Sequence, residues 1–262
     1  VIRQEYPEAK IVVGGTSALR YSKDWLFGIL KSDEIMPLVD VVCWHPFYGE
    51  SPAYDDTREF WYEYPSIVQA IKDTASAHGF KGEYYADEAG WGSYQFPPPP
   101  DQPVHTDIQA AKYYARAIVM HRGMDIIIKV GDPRPQRVLV FNTVRNLCTV
   151  MAGVTTDSVD IQIQSDAADL RSYSFSLPDG DKMIALWTDG VAVDSDPGVA
   201  ATLTLPWPSA QSVKGIDVLH GYEQQLISSV EDGNLVIRGF LVKDYPIFIS
   251  SASTVSTISE PD

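Results

Sequence analysis

The stretch GEYYADEAGW, residues 82–91, places an apolar run directly before an acidic pair. The run predicts a buried strand, and Asp87 and Glu88 stand where that strand ends. In parallel α/β folds, the carboxyl ends of the strands and the loops that follow them build the functional site. Because adjacent residues of a regular strand face opposite ways, we expect one carboxylate to enter a pocket and the other to support it.

Similar apolar runs lie on both sides of this stretch. IVVGG at residues 11–15, VDVVCWHPFY at 39–48 and MDIIIKV at 124–130 each predict a strand. Helical periodicity separates the runs, for example over 60–79, where the pattern predicts a helix that begins near Pro65. This alternation predicts parallel strands with helical crossovers. A complete (β/α)8 barrel takes about 250 residues, so four strands predict a partial TIM barrel, about half of one.

The pattern changes after Gly153. Short runs of alternating polar and apolar residues follow, separated by turn signals such as PDGD and EDGN, and they predict an antiparallel β-sandwich of about eight strands. The charge changes at the same place. Residues 1–155 hold 19 acidic and 15 basic side chains, whereas residues 156–262 hold 16 and 5. We therefore expect a half-barrel domain over 1–155 and a β-sandwich domain over 156–262.

The composition is that of a globular protein with an acidic surface. Of 262 residues, 45% are hydrophobic and 21% are charged, and the formal net charge is −15. Nucleic acids and anionic membranes need a basic surface, so we expect neither as a partner. No apolar run approaches the roughly 18 residues of a membrane span. The chain begins at Val1 and shows no signal peptide, and we interpret it as a piece of a longer protein. The sequence does not predict the localisation of the chain, and a secreted or cell-surface parent protein is compatible with it.

The sequence predicts no cofactor and no metal site. The two cysteines, Cys43 and Cys148, lie in apolar runs, which predicts two buried small side chains rather than a disulfide or a zinc site. The five histidines are scattered, without metal-binding spacing. Gly14 and Gly15 are too short a match to a dinucleotide-binding loop, which argues against an unrelated doubly wound α/β domain.

A second group of functional residue types lies in CWHPFYG, residues 43–49. Trp44, His45 and Tyr48 supply a flat apolar face, a titratable ring and a phenol donor at the end of a predicted strand. Trp91 supplies another flat face just after the acidic pair. The alternative is that these aromatic side chains only pack beneath a loop.

Taken in order, these segments resemble the C-terminal half of a clan A glycoside hydrolase barrel, with family 39 and its relatives closest in pattern. The resemblance implies that the four strands are about strands 5–8 of the barrel. It covers nearly the whole chain, and it depends on the order and spacing of motifs that are individually weak. The motifs are GGTS at 14–17, VDVVCWHPFYG at 39–49, YYADEAGW at 84–91, QAAKYYARAIVMHRG at 109–123, RNLCTVMAG at 145–153, and, for the family's C-terminal β-sandwich, ALWTDG at 185–190 and GFLVKDYPI at 239–247.

The resemblance implies a retaining glycoside hydrolase that acts on O-glycosyl bonds of a carbohydrate. By position, Glu88 would be the nucleophile, and Tyr48 would hydrogen-bond its carboxylate and help to keep it ionised. The other site residues that the resemblance implies are His45, which would line the sugar subsite, and Trp44, Trp91 and Asp87, which would contact the substrate.

One part of the family pattern is missing. The family's acid/base belongs to an Asn-Glu pair upstream of the Gly-Gly strand, and no Asn-Glu dipeptide occurs in this sequence. Because a retaining glycosidase needs two carboxyl groups about 5–5.5 Å apart, we expect a fragment that carries the nucleophile strand and is inactive alone. A missing N-terminal half, or a second copy in a homodimer, would cover its open strand edges. The alternative is a non-catalytic carbohydrate-binding or assembly module on the same fold.

Overall fold

The computed structural model describes residues 2–15, 17–94, 97, 100, 102–131, 135–208 and 212–251, so Thr16 of the GGTS motif lies outside the described residues. The helices are α1 (Ile2–Glu5), α2 (Leu19–Leu30), α3 (Asp55–Ala77), α4 (Asp107–Gly123) and α5 (Val138–Val150), with a 3-10 turn at Met36–Leu38. The strands are β1 (Val12–Val13), β2 (Val41–Trp44), β3 (Phe47–Tyr48), β4 (Glu83–Gly90), β5 (Gly92–Ser93), β6 (Val104–His105), β7 (Ile127–Val130), β8 (Thr155–Asp157), β9 (Gln162–Ser165), β10 (Leu170–Ser176), β11 (Lys182–Thr188), β12 (Val199–Leu205), β13 (Lys214–Asp217), β14 (Tyr222–Gln225), β15 (Ser228–Glu231), β16 (Asn234–Val242) and β17 (Ile247–Ser250).

The chain divides into two compact units. The parallel-sheet unit contains the residues up to Trp91 together with Ile126–Gly131. The two-sheet unit contains Gly92–Asp125 and the residues from Asp132 onward. Helices α4 and α5 therefore group with the β-rich part of the chain, whereas a division at residue 155 places them with the parallel strands.

The parallel-sheet unit is built on four neighbouring strands in the order β1, β2, β4 and β7, and each neighbouring pair is parallel. The short strand β3 follows Pro46 and pairs with the end of β4. All four residues of β2 are buried, as expected for a parallel strand that is covered on both faces. Gly14 has a φ of +111°, and a Cβ there would overlap the carbonyl oxygen of Cys43, so the end of β1 requires glycine.

Helix α3 is longer than the sequence predicts. It starts at Asp55, and Pro65 lies inside it rather than at its start, so the predicted start is wrong. Proline removes one backbone N–H donor from a helix. Trp61, Tyr64 and Ile67 are buried along α3, and their packing compensates for the lost hydrogen bond.

The two-sheet unit contains a six-stranded sheet in the order β14-β13-β17-β11-β10-β8 and a four-stranded sheet in the order β15-β16-β12-β9. All of their strand pairs are antiparallel. Ile184 from the first sheet shares an apolar core with Leu203 and Ile237 from the second. The ten strands exceed the eight or so predicted, because the run QQLISSV forms two strands in different sheets and β8 adds another.

Helix α4 is buried nearly all round, with 11 of its 17 residues inaccessible to solvent. Thr106 and Gln109 form a capping box at its start. Two of the buried residues, Lys112 and Arg116, carry a positive charge. A buried charge is tolerated only when it is paired and hydrogen-bonded.

The motifs of the β-rich part supply the partners of these two cations. Lys112 Nζ lies 2.6 Å from Asp244 Oδ1, and it donates to the carbonyl oxygen of Val193 at 2.6 Å. Arg116 donates to the carbonyl oxygens of Asp244 and Gly190. Asp244 belongs to the DYPI sequence and Gly190 to ALWTDG, so these motifs fix α4 within the two-sheet unit.

Replacement of Lys112 by methionine leaves the buried Asp244 carboxylate without its cation. We expect the free energy of unfolding to fall by about 3–5 kcal/mol, the usual cost of breaking a buried ion pair. Urea unfolding followed by tryptophan fluorescence measures the change. Lys10→Met is the matched control, because Lys10 and Glu83 form an exposed pair 3.5 Å apart, and a loss below about 1 kcal/mol is expected there. Equal losses in the two variants would contradict this interpretation.

Candidate active site

The parallel pairing of β2 with β4 positions the candidate site. Trp44 pairs with Ala86, so the residues that follow, His45 after the end of β2 and Asp87 within β4, lie side by side toward the carboxyl end of the sheet. His45 Nε2 lies 3.4 Å from Asp87 Oδ1. The Leu19 N–H donates to the His45 carbonyl oxygen at 2.8 Å and holds the backbone at this point.

Glu88 reaches the same imidazole, with its Oε2 atom 3.5 Å from His45 Nδ1. The register between β4 and β7 shifts between Ala86 and Ala89, where three steps along β4 match two steps along β7. A bulge of this kind interrupts the strict alternation of side chains. Both carboxylates therefore lie within 3.5 Å of the His45 ring, Asp87 at Nε2 and Glu88 at Nδ1, although a regular strand would direct them to opposite faces.

The two carboxylates differ in how far a ligand can reach them. The Glu88 side chain is 53% exposed, whereas that of Asp87 is 32% exposed. Asp87 Oδ1 is enclosed and has no hydrogen-bond partner among the described residues. Glu88 is thus the carboxylate that faces solvent, and Asp87 is the one that the protein surrounds.

Cys43 supports Asp87 from below the strand end. Burial, the negative charge of Asp87 and a hydrogen bond to Asp87 raise the pKa of the Cys43 thiol to about 12. The thiol therefore stays protonated and can donate to the carboxylate. Gly15 allows this approach, because a Cβ there would lie 3.3 Å from Cys43 Sγ and 3.4 Å from Asp87 Oδ2.

Tyr48 has one hydroxyl proton and two acceptors. Its hydroxyl oxygen lies 2.5 Å from His45 Nδ1, and it also hydrogen-bonds to Glu88. Burial, then the hydrogen bond to Glu88 and the charge of that carboxylate, raise the pKa of Tyr48, so the phenol stays protonated.

The protonation state of His45 decides which acceptor receives that proton. A single proton on Nε2, which faces Asp87, leaves Nδ1 as an acceptor that draws the Tyr48 proton away from Glu88. When both ring nitrogens are protonated, Nδ1 is a donor and the Tyr48 proton is available to Glu88. The Tyr48 hydroxyl therefore donates to Glu88 only when Nδ1 of His45 carries a proton.

The two tryptophans of the predicted site belong to the core. Trp44 and Trp91 are each 1% exposed. Trp44 Nε1 donates to the Tyr64 hydroxyl at 2.8 Å, and Trp91 Nε1 donates to the carbonyl oxygen of Glu50 at 2.9 Å. A buried ring has no free face for a sugar, so the predicted substrate contacts of Trp44 and Trp91 do not fit this structure.

The structure adds Glu50, a residue that sequence analysis did not single out. Glu50 is 3% exposed, and its carboxylate accepts a hydrogen bond from the backbone N–H of Tyr48. Burial raises the pKa of Glu50, although hydrogen bonds from backbone N–H groups oppose the shift. An acid that follows glycine in a loop carries no sequence signal for burial.

The described residues offer no metal site, since no group of three or more histidine, cysteine or acidic side chains among them is arranged to hold a metal ion. In the part of the chain that the structure describes, no helix has both the length and the apolar character to span a membrane.

Solved structures of glycoside hydrolases share this fold. The chain is similar to the GH51 arabinofuranosidase from Xanthomonas axonopodis pv. citri over 87% of its own length, with a TM-score of 0.56 and 12% identity. It is similar to a family 51 alpha-L-arabinofuranosidase from Bifidobacterium longum over 95% of its length, with a TM-score of 0.57 and 11% identity. A GH30 endoxylanase from Clostridium papyrosolvens C71 matches over 94%, with a TM-score of 0.54 and 13% identity.

The chain spans only 55%, 60% and 56% of these three structures. No protein-family model matches the sequence, and no curated protein matches it either. Similarity at such low identity shows the fold alone, which these glycoside hydrolases share. It does not single out family 39.

The two cysteines should differ in reactivity. Cys148 is exposed, which corrects the expectation that both are buried. Because the thiolate is the reactive form, Ellman's reagent at about pH 8 should titrate one thiol in the native chain and two in denaturant. Cys148→Ser should abolish the fast native reaction, and Cys43→Ser should leave it unchanged. Fast labelling of Cys43 in native Cys148→Ser would contradict the raised pKa.

Glu50 should make the stability of the protein depend on pH. Its folded pKa lies above the ordinary value of 4.5, so the native state keeps a proton that the unfolded chain releases, and stability falls as the pH rises through that window. Glu50→Gln removes this slope and keeps an acceptor for the Tyr48 N–H. In urea unfolding from about pH 4 to pH 7, the stability of Glu50→Gln relative to the parent should rise. Glu59→Gln, on an exposed position of α3, is the control, and a constant difference for Glu50→Gln would refute the burial argument.

Proposed function

We propose that the chain is the C-terminal part of a retaining glycoside hydrolase and that Glu88 is its nucleophile. The contact of Glu88 with Tyr48 and His45 at the end of β4 carries this proposal. Glu88 is the more accessible member of the acidic pair, it stands near the carboxyl end of a parallel strand, and solved glycoside hydrolases share the fold.

The proposed reaction begins when a Glu88 carboxylate oxygen attacks the anomeric carbon of the sugar. The bond from this carbon to the leaving oxygen breaks, and an acid protonates that oxygen. Water then hydrolyses the glycosyl ester and restores the carboxylate. Tyr48 serves the first step by hydrogen-bonding the ionised carboxylate, while Asp87 orients His45.

Among the described residues, no second carboxyl group of this arrangement is placed to act as the acid. Asp87 is enclosed beside Cys43, and Glu50 is buried under the backbone of Tyr48. We therefore infer that the chain alone is catalytically incomplete. An N-terminal half that precedes β1 in the barrel would supply the acid.

The four parallel strands correspond, in this proposal, to half of a (β/α)8 barrel, and the two-sheet unit to the β-sandwich domain of such enzymes. Among the described residues, β1 and β7 each pair on one side only. Val12 on β1 and Ile127 on β7 are 57% and 39% exposed, and open parallel edges of this kind are normally covered. The missing half or a second copy would cover them, and light scattering separates a homodimer of twice 29.0 kDa from a monomer.

Arabinofuranosides and xylosides are the first substrates to test, because the similar structures are an arabinofuranosidase and an endoxylanase. The alternative, a binding module that uses Trp44, Tyr48 and Trp91, has less support. Two of those three side chains are buried and have their ring nitrogens occupied.

Dinitrophenyl glycosides test the proposal, because their leaving group needs no protonation. With the β-xyloside or the α-L-arabinofuranoside, the full chain should release at most about one equivalent of dinitrophenolate and then slow, since no general base assists hydrolysis. Azide needs no base and should restore turnover. Glu88→Gln should release none, and Glu59→Gln should behave like the parent chain.

Two outcomes would overturn parts of the proposal. A burst that persists in Glu88→Gln would remove Glu88 as the nucleophile. Sustained hydrolysis of xylotriose by the full chain, abolished in Glu88→Gln, would show that the chain holds its own acid and would overturn its incompleteness.

A further inference from the structure

The two-sheet unit carries a groove that shares no residue with the candidate active site. The groove has a volume of about 470 Å³. Strands β13 and β14 of the six-stranded sheet line one side, and strand β16 of the four-stranded sheet lines the other. Its volume lies in the range of small-molecule sites in proteins.

The groove exists because strand pairing stops there. Strand β14 is the edge of its sheet, and the chain crosses from it to β15 through Leu226 and Ile227. Strand β15 pairs with β16 only up to Ile237. The register of β16 against β12 shifts just beyond that point, where Gly239 has a φ of +68°. Among the described residues, the last part of β16 has no partner strand on the β15 side.

The lining combines exposed apolar surface with amide groups. Tyr222 is 68% exposed and Leu241 is 49% exposed, and both line the groove. Gln224 and Gln225 stand beside them on β14. The Gln225 amide nitrogen donates to the carbonyl oxygen of Val213 at 2.8 Å, so its side chain is held in place.

The charged groups of the groove are already paired within the chain. The Arg238 guanidinium makes two hydrogen bonds of 2.6 Å to the Glu231 carboxylate. Asp217 accepts from the Tyr245 hydroxyl at 2.9 Å and lies 2.9 Å from His220 Nδ1. Lys243, the remaining charged residue of the described lining, donates to the carbonyl oxygen of Asp196 at 2.8 Å. Each of these charged side chains therefore already has a partner within the chain, and the excess of acidic residues in this part of the chain repels anions.

We propose that this groove is a binding site for a neutral saccharide. A sugar has apolar C–H faces, which suit the Tyr222 ring and Leu241, and hydroxyl edges, which suit the amide of Gln224, two residues from Tyr222 and on the same face of β14. The site goes beyond the proposed function, because it requires neither Glu88 nor the completion of the barrel. It would hold a carbohydrate chain without cleaving it.

Saturation-transfer NMR with xylotetraose, a neutral linear oligosaccharide, tests the proposal on the full chain. A shallow site with one aromatic platform should give a dissociation constant on the order of 1 mM. Tyr222→Ala should weaken binding about tenfold. Tyr6→Ala is the matched control, because Tyr6 is 69% exposed and lies outside the groove, and it should bind as the parent chain does.

Three results would overturn the proposal. These are no saturation transfer at about 10 mM xylotetraose, equal binding by Tyr222→Ala and Tyr6→Ala, or loss of binding in Glu88→Gln with retention in Tyr222→Ala. The last result would place the sugar at the candidate active site. Because Tyr222→Ala leaves Glu88 intact, its dinitrophenolate burst should match that of the parent chain, so failure of this site and failure of the proposed nucleophile are distinguishable.

Discussion

The parallel register between β2 and β4 is the constraint on which the candidate site depends. With Trp44 opposite Ala86, the next residue of each strand places an imidazole beside a carboxylate. A slip of one residue would send these side chains to opposite faces of the sheet. The bulge that follows Ala86 then brings Glu88 to the same ring, so strand pairing and its local interruption together assemble the group.

The resulting site contains more acceptors than protons. Two carboxylates face one imidazole, and one phenol serves both the imidazole and the accessible carboxylate. The Cys43 thiol satisfies part of the enclosed acid without adding charge. Helix α4 shows a different solution, because its buried cations each find a full set of partners. The site around His45 therefore keeps acceptor atoms that a ligand can use, whereas the paired cations of α4 stabilise the fold.

The sequence predicts those features that depend on local pattern. The four parallel strands follow from apolar runs, and the antiparallel strands after Gly153 follow from alternating runs with turn signals between them. The position of Pro65 inside α3, the burial of Trp91 and the burial of Glu50 could not be predicted, because each depends on tertiary packing. The contact of both Asp87 and Glu88 with His45 could not be predicted either, because it depends on a bulge in β4 that is set by the register of β4 against β7.

The central claim is that Glu88 is the nucleophile and that the site lacks the general acid of a retaining glycosidase. The most direct measurement is mass spectrometry of the full chain after incubation with dinitrophenyl 2-deoxy-2-fluoro-xyloside, followed by peptide mapping. The leaving group needs no acid, and the fluorine slows the second step, so a glycosyl ester should accumulate. The predicted result is one label per chain, on Glu88. A label on Asp87 or Glu50, or an unlabelled chain, would contradict the claim.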